Sequence, residues 1–220
     1  MTDYTRQRDF FDPTNTNAVV TIVGCGGIGS FTAFALAKLG VSELRLVDFD
    51  TVDEHNIPNQ LFLPSQIGKQ KTAALAETIE AATDAKVSLH NHPLQDGIPR
   101  SSVVISALDS MQARAELWQQ VRYKLDVKLF LDGRLGGQNV VLYAVRPCQP
   151  TDIAGYEATL HSDEEGDDLP CTGRAIIDVG FAVASLMTRA VRQFYADGPI
   201  SPMTYLNQNT LDLLRGDWYA

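Results

Sequence analysis

The sequence predicts an α/β protein: a Rossmann-like, doubly wound sheet, mostly parallel, with an additional C-terminal crossover loop and helix. Three observations carry that expectation. Apolar runs of strand length alternate with segments of helical periodicity, the pattern of strands covered by helices on both faces. The first apolar run leads directly into "GCGGIGS", where Gly24, Gly26 and Gly29 fall in G-x-G-x-x-G spacing. An acid, Asp48, closes the next run, 19 residues after Gly29, where such sheets hydrogen-bond a ribose.

Taken in order, residues 18–24 read as a buried strand and 28–40 as a helix that closes at Gly40. "ELRLVDFD" (43–50) is a second strand, "KQKTAALAETIEAAT" (69–83) an amphipathic helix and "KVSLHNH" (86–92) a third strand. "SSVVISALD" (101–109) is a fourth strand, and a helix follows over 111–125. "KLFLDGRLGGQNVVLYAV" (128–145) contains two strands around a glycine-rich turn. Residues 147–173 are polar, acidic and rich in turn formers, and they read as one mobile crossover loop. A last helix over 174–194 returns the chain to the core, and a short tail follows.

The length suits one domain over 1–220, large enough to bury a core without covalent staples. A net charge of −9 argues against nucleic acid as the main partner, which needs a basic face. The polar start shows no secretory signal, and "VGFAVASLM" is far shorter than the roughly 20 residues of a membrane span. Cys25, Cys148 and Cys171 form no C-x-x-C pair and suit a reducing compartment. The expectation is a soluble cytoplasmic protein with no membrane partner.

Glycines 24, 26, 27 and 29 permit a tight turn, close backbone approach to phosphate and close helix packing, with helix amides facing the anion. Such a loop recognises phosphate, so it fits NAD and ATP equally well. The residues after the second strand separate them. "VDFDTVDEHNIPNQLFLPSQIGKQKT" resembles the nucleotide site of the ThiF/MoeB/HesA family, bacterial relatives of the ubiquitin-activating enzymes. That family shows D-x-D, then N-L-x-R-Q, then G-x-x-K opening a helix. The corresponding residues are Asp48 and Asp50, Asn56 to Gln60, and Gly68 to Lys71. The resemblance continues at "ALDSMQARAEL", where Asp109 and Arg114 match D-N-x-x-x-R with Ser110 in place of its asparagine. It extends to "GRLGGQ", where Arg134 matches R-x-x-G-Q, and to "YTRQ", where Arg6 matches Y-x-R-Q. It covers most of residues 4–145.

The resemblance implies a ThiF-type adenylation domain in which a C-terminal carboxylate attacks the α-phosphate of ATP. Lys71 would neutralise phosphate, Asp109 would hold Mg²⁺, Asp48 would fix the ribose, and Asn56 and Gln60 would orient phosphate oxygens. Arg134 would add positive charge, and Arg6 would reach the nucleotide of the other subunit in a homodimer. Asn59 stands where the family has an arginine, an amide in place of a cation. The family's pair of C-x-x-C zinc motifs is missing, so no structural zinc is expected. Cys171, at the start of the last helix, lies in the region where some relatives pass the activated carboxylate to sulfur, and a helix N-terminus favours thiolate.

The reading is therefore an ATP-dependent adenylyltransferase acting on a small ubiquitin-like or sulfur-carrier protein, with possible transfer to a cysteine. Three alternatives stand beside it: a relative of the tRNA threonylcarbamoyladenosine dehydratase, a non-catalytic subunit of an activating-enzyme dimer, and an NAD-dependent oxidoreductase. The last would leave Asn56, Gln60 and Lys71 without a purpose.

Overall fold

The computed structural model describes residues 2–161 and 176–218. Its elements in chain order are β1 (Val19–Val23), α1 (Gly29–Leu39), β2 (Glu43–Val47), α2 (Lys71–Ala82), β3 (Lys86–His90), β4 (Val103–Ser106) and α3 (Met111–Val121). There follow β5 (Leu129–Gly136), β6 (Asn139–Val145), α4 (Pro150–Glu157), α5 (Ile177–Tyr195), β7 (Met203–Asn207) and β8 (Asp212–Gly216). The strands form one sheet in the order β3-β2-β1-β4-β5-β6-β7-β8. It is parallel from β3 to β5 and antiparallel beyond. From β1 the chain winds outward to β2 and β3, then returns to place β4 on the other side. That reversal opens a crevice beyond the carboxyl ends of β1 and β4.

The central strands are apolar because both faces are covered. On one face Ala33, Leu36 and Ala37 of α1, Leu75 and Ile79 of α2, and Val183 and Met187 of α5 pack against Val20, Ile22 and Ile105. On the other, Leu117, Trp118 and Val121 of α3 join Ile153 and Tyr156 of α4 over Val104 and Phe130. Trp118 is fully buried, and its indole nitrogen donates to Glu157 at 2.9 Å. Helix α1 ends at Gly40, whose φ of 102° lets its amide and that of Val41 close onto Leu36.

Two expectations need correction. Residues 147–173 are not one loop: Pro150–Glu157 forms α4, with proline at the first helical position, where its missing amide costs nothing. Asp152 in that first turn accepts from the backbone and side-chain nitrogens of Arg146, which pins the helix to the end of β6. What reads as a short tail after the last helix carries two strands, because β7 and β8 extend the sheet as a hairpin. Strand β8 is exposed almost throughout, so it lacks the in-and-out alternation by which a strand announces itself. Among the described residues, no helix is long and apolar enough to cross a membrane.

Candidate active site

At the sheet's crevice lies a cavity of about 670 Å³. Its walls include Gly24, Gly26 and Gly27 after β1, Asp48 and Asp50 after β2, Asn56, Asn59 and Gln60 from the following segment, Lys71 at the head of α2, and Asp109 after β4. Residues separated by more than 80 positions thus meet around one space.

The glycines there have different reasons. Gly24 has φ +92°, and a Cβ on it would lie 2.5 Å from the Ala107 carbonyl oxygen. Gly29 is a packing residue outside the cavity lining: its Cβ would strike the Gly24 carbonyl oxygen at 1.8 Å. At Gly26 a Cβ would meet nothing closer than the Gln60 side chain at 3.8 Å, so the protein's own packing does not require glycine there. A side chain at 26 would instead occupy the space where a ligand comes closest to the backbone. No side chain caps the N-terminus of α1; the Ser30 amide already donates to the Gly26 carbonyl at 3.0 Å, so an anion would be met by the amides that precede it.

Asp48 sits beside this loop with both oxygens engaged, one by the Cys25 amide at 2.7 Å and one by the Asp50 amide at 2.8 Å. Burial pushes its carboxyl above the ordinary range, against the opposing pull of those two amides and of Lys71. Each oxygen keeps a lone pair for a further donor, as a ribose hydroxyl pair requires. The Cys25 thiol, fully buried in the same loop, is driven well above its usual range by burial and then by Asp48. It is therefore a protonated packing group.

Lys71 is anchored by its amide, which donates to the Asp50 carbonyl at 2.9 Å, and its ammonium pairs with the Asp50 carboxylate at 2.8 Å. The lysine side chain is 10% exposed and the Asp50 side chain 51%. Water can therefore take over Asp50 if the ammonium turns to an anion in the cavity. Asn56 accepts from the Asp53 amide through Oδ1 at 2.9 Å, which leaves its NH₂ as the free end. Asn59 and Gln60 are half-buried, each with a buried terminal oxygen that has no partner in the protein. Either end of a side-chain amide can occupy such a position, so each can offer a donor to a phosphate. Asp109 lines the cavity and is solvent-exposed at the carboxyl end of β4.

The structure separates the two arginines that follow. Arg114, on α3, reaches the cavity wall, donates to the Gly133 carbonyl at 3.2 Å and to the Leu108 carbonyl, and pairs with Asp132 at 2.7 Å. Arg134 is not among the lining residues, which corrects its expected place in the site. Its guanidinium binds the other oxygen of Asp132 at 2.8 Å and both the carbonyl and hydroxyl of Thr159. It also lies over the rings of Tyr143 and Tyr156. Burial works to raise the Asp132 carboxyl, but the two guanidiniums overcome it and hold the group below the usual range.

Arg6 is exposed on a short turn. The next residue, Gln7, donates to the Leu39 carbonyl at 2.6 Å, which fixes that turn at the C-terminal end of α1. The eleven residues of α1 put that end about 16 Å from the glycine loop, so Arg6 stands apart from the cavity of its own chain. Cys171 lies outside the described residues. Sequence reasoning missed the apolar part of the cavity, Val47, Phe49, Leu94 and Leu108, together with His55 and His92. Hydrophobic residues at strand ends look like core, and the spacing of the two histidines carried no signal.

The ThiF family model matches residues 9–215. Ubiquitin-like modifier-activating enzyme 5 of Dictyostelium discoideum is 43% identical over 77 residues, covering 34% of this chain and 20% of that protein. Its namesake in Drosophila virilis is 32% identical over 131 residues, covering 51% and 30%. The chain thus spans a fifth to a third of these relatives' length. Among solved structures, E. coli MccB with ATP superimposes with a TM-score of 0.72 at 19% identity, covering 92% of this chain and 64% of that one. MccB with N-formylated MccA gives 0.74 at 17%, covering 92% and 65%. At these identities the likeness is one of fold.

Proposed function

This chain belongs to the ThiF family, and from that premise we propose that it is an ATP-dependent adenylyltransferase acting on the C-terminal carboxylate of a small ubiquitin-like or sulfur-carrier protein. One observation carries the reading: a glycine loop open at Gly26, a ribose-type acid, a releasable lysine and an exposed carboxylate converge on a single cavity. The names of the sequence relatives and the ATP-bound MccB structure support it.

In the reaction a carboxylate oxygen bonds to the α-phosphorus, the bond from that phosphorus to the bridging oxygen breaks, and pyrophosphate leaves. Asp48 accepts the ribose hydroxyls. Amides of the glycine loop and the NH₂ groups of Asn56 and Gln60 hold phosphate oxygens. Lys71 leaves Asp50 for the phosphates and meets the charge that develops as pyrophosphate departs.

Asp109 suits Mg²⁺, an ion commonly bound by one or two carboxylates together with substrate phosphates and water. Among the described residues there is no cluster of three or more protein ligands that would form a closed cage instead. Bound Mg²⁺ would supply charge neutralisation at the phosphates. Asn59 supplies no cation, and Arg114 and Arg134 are both committed to Asp132, so among the described lining residues Lys71 is the permanent cation that can turn to a phosphate. An arginine from outside the chain would complete the site, and in a homodimer Arg6 of the other protomer fills that role.

The test is ATP–pyrophosphate exchange on addition of purified ubiquitin-like and sulfur-carrier proteins ending in a free carboxylate. Exchange is expected with one of them and is abolished when its C-terminal residues are removed. Tight binding of NAD together with no exchange for any carboxylate would reject the proposal.

A further inference from the structure

Four residues of the cavity lining, Val23, Val47, Leu94 and Leu108, belong to one packed apolar cluster, and His92, two residues before Leu94, lines the same cavity. The place is set by the sheet, because the Asp48 amide donates to the His90 carbonyl at 3.2 Å. The end of β3 therefore adjoins the acid that serves the ribose, and a base attached to that ribose meets the residues just beyond β3.

The tautomer of the His92 ring follows from its partner. Nδ1 lies 3.0 Å from the Pro93 carbonyl oxygen. A carbonyl oxygen can only accept, so Nδ1 carries the hydrogen, and in the neutral ring Nε2 is a bare acceptor. The anchor is itself held. The Pro93 carbonyl also accepts from the Asp96 amide at 3.1 Å. The same turn is tied to α3 by Gln120 donating to the Leu94 carbonyl at 2.9 Å and by Gln95 donating to Glu116 at 2.8 Å. Edge contact with the His90 ring, centroids 5.8 Å apart, further limits rotation. The cavity thus offers a flat base an apolar lining and one oriented acceptor.

We infer that His92 selects the nucleobase, its Nε2 accepting from the 6-amino group of adenine and disfavouring the 6-oxo group of guanine. Adenine presents a donor at that position and guanine an acceptor. An acceptor facing an acceptor repels it and leaves both without that hydrogen bond. The inference rests on the reading of the cavity as an ATP site and adds the residue by which ATP is told from GTP.

Calorimetric titration of the native protein with ATP, GTP and purine riboside triphosphate, which lacks the 6-amino group, tests it. ATP should bind about 3- to 10-fold more tightly than the purine analogue, and GTP should be the weakest of the three. In His92→Phe, which keeps a flat ring but no acceptor, the ATP and purine affinities should converge. Equal affinities of the native protein for ATP and the purine analogue would overturn the inference without need of the variant. So would an unchanged ATP-to-purine ratio in His92→Phe. Failure of the native protein to bind any of the three would instead overturn the reading of the cavity itself.

Discussion

Two charge clusters flank the same cavity and are built in opposite ways. Lys71 and Asp50 form a single contact, with half of the aspartate side chain in water. Asp132 is wholly buried and holds Arg114 with one oxygen and Arg134 with the other, while the Tyr156 hydroxyl donates to it at 3.0 Å. An ion pair open to solvent is worth little, so its cation can change partner at small cost. A buried, fully hydrogen-bonded cluster cannot, because losing one member strands charge in a poor dielectric. The first cluster suits catalysis and the second suits architecture. Asp132 joins the wall of the cavity, through Arg114 and the Leu108 carbonyl, to the end of α4 at Thr159.

The strongest test of that contrast is Asp132→Ala. Two guanidiniums would be left buried without their carboxylate, a loss of about 3–5 kcal/mol. For a chain of this length that is a fall of roughly 10 °C in melting temperature, measurable by calorimetry. A shift of a degree or two would show the cluster to be dispensable.

Lys71→Met retains most of the apolar stem and removes the charge. Exchange should fall about 100- to 1000-fold if Lys71 meets charge developing on the phosphates. Stability should change by less than about 1 kcal/mol, since Asp50 can be hydrated. A large loss of stability with exchange intact would make Lys71 a strut and erase the difference between the clusters.

The smallest expected effect is a separation in pH. Asp48 titrates above the ordinary carboxylate range because of burial, whereas Asp132 is held below it by its arginines. A depressed carboxyl contributes stability at pH above its unfolded pKa, and that contribution disappears only as pH falls through the lower folded value. On mild acidification Asp48 takes up a proton first. A neutral carboxyl accepts ribose hydrogen bonds less strongly, by about 1 kcal/mol. ATP affinity should therefore weaken several-fold at a pH where the contribution of Asp132 to stability is still complete. Parallel titrations of ATP affinity and thermal stability check this, and simultaneous loss of both would contradict it.

How far these features could be read beforehand depends on the range of the interaction. The turn at Gly40, the strand leading into Gly24 and the acid at Asp48 follow local rules, in which a few neighbouring residues determine backbone conformation. Lys71 could be placed at a helix start for the same reason. The partnership of Asp132 with Arg114, Arg134 and Tyr156 could not be read, because no spacing rule links residues on β5, α3 and α4. The motif at Arg134 suggests a positive charge for the site, yet its side chain turns to Asp132 and Thr159 instead. The hairpin of β7 and β8 was invisible because an exposed edge strand carries little hydrophobic pattern.

By itself the sequence determined the order of strands and helices from β1 to β6, the glycine loop and the acidic, amide and lysine residues that follow it, because backbone preference and periodicity act over a few residues. Only the tertiary structure decided which of those side chains share a cavity, which cation is free to move and which is locked, and that His92 lines the same cavity. Burial and charge pairing depend on distances through space, and the chain order does not contain those distances.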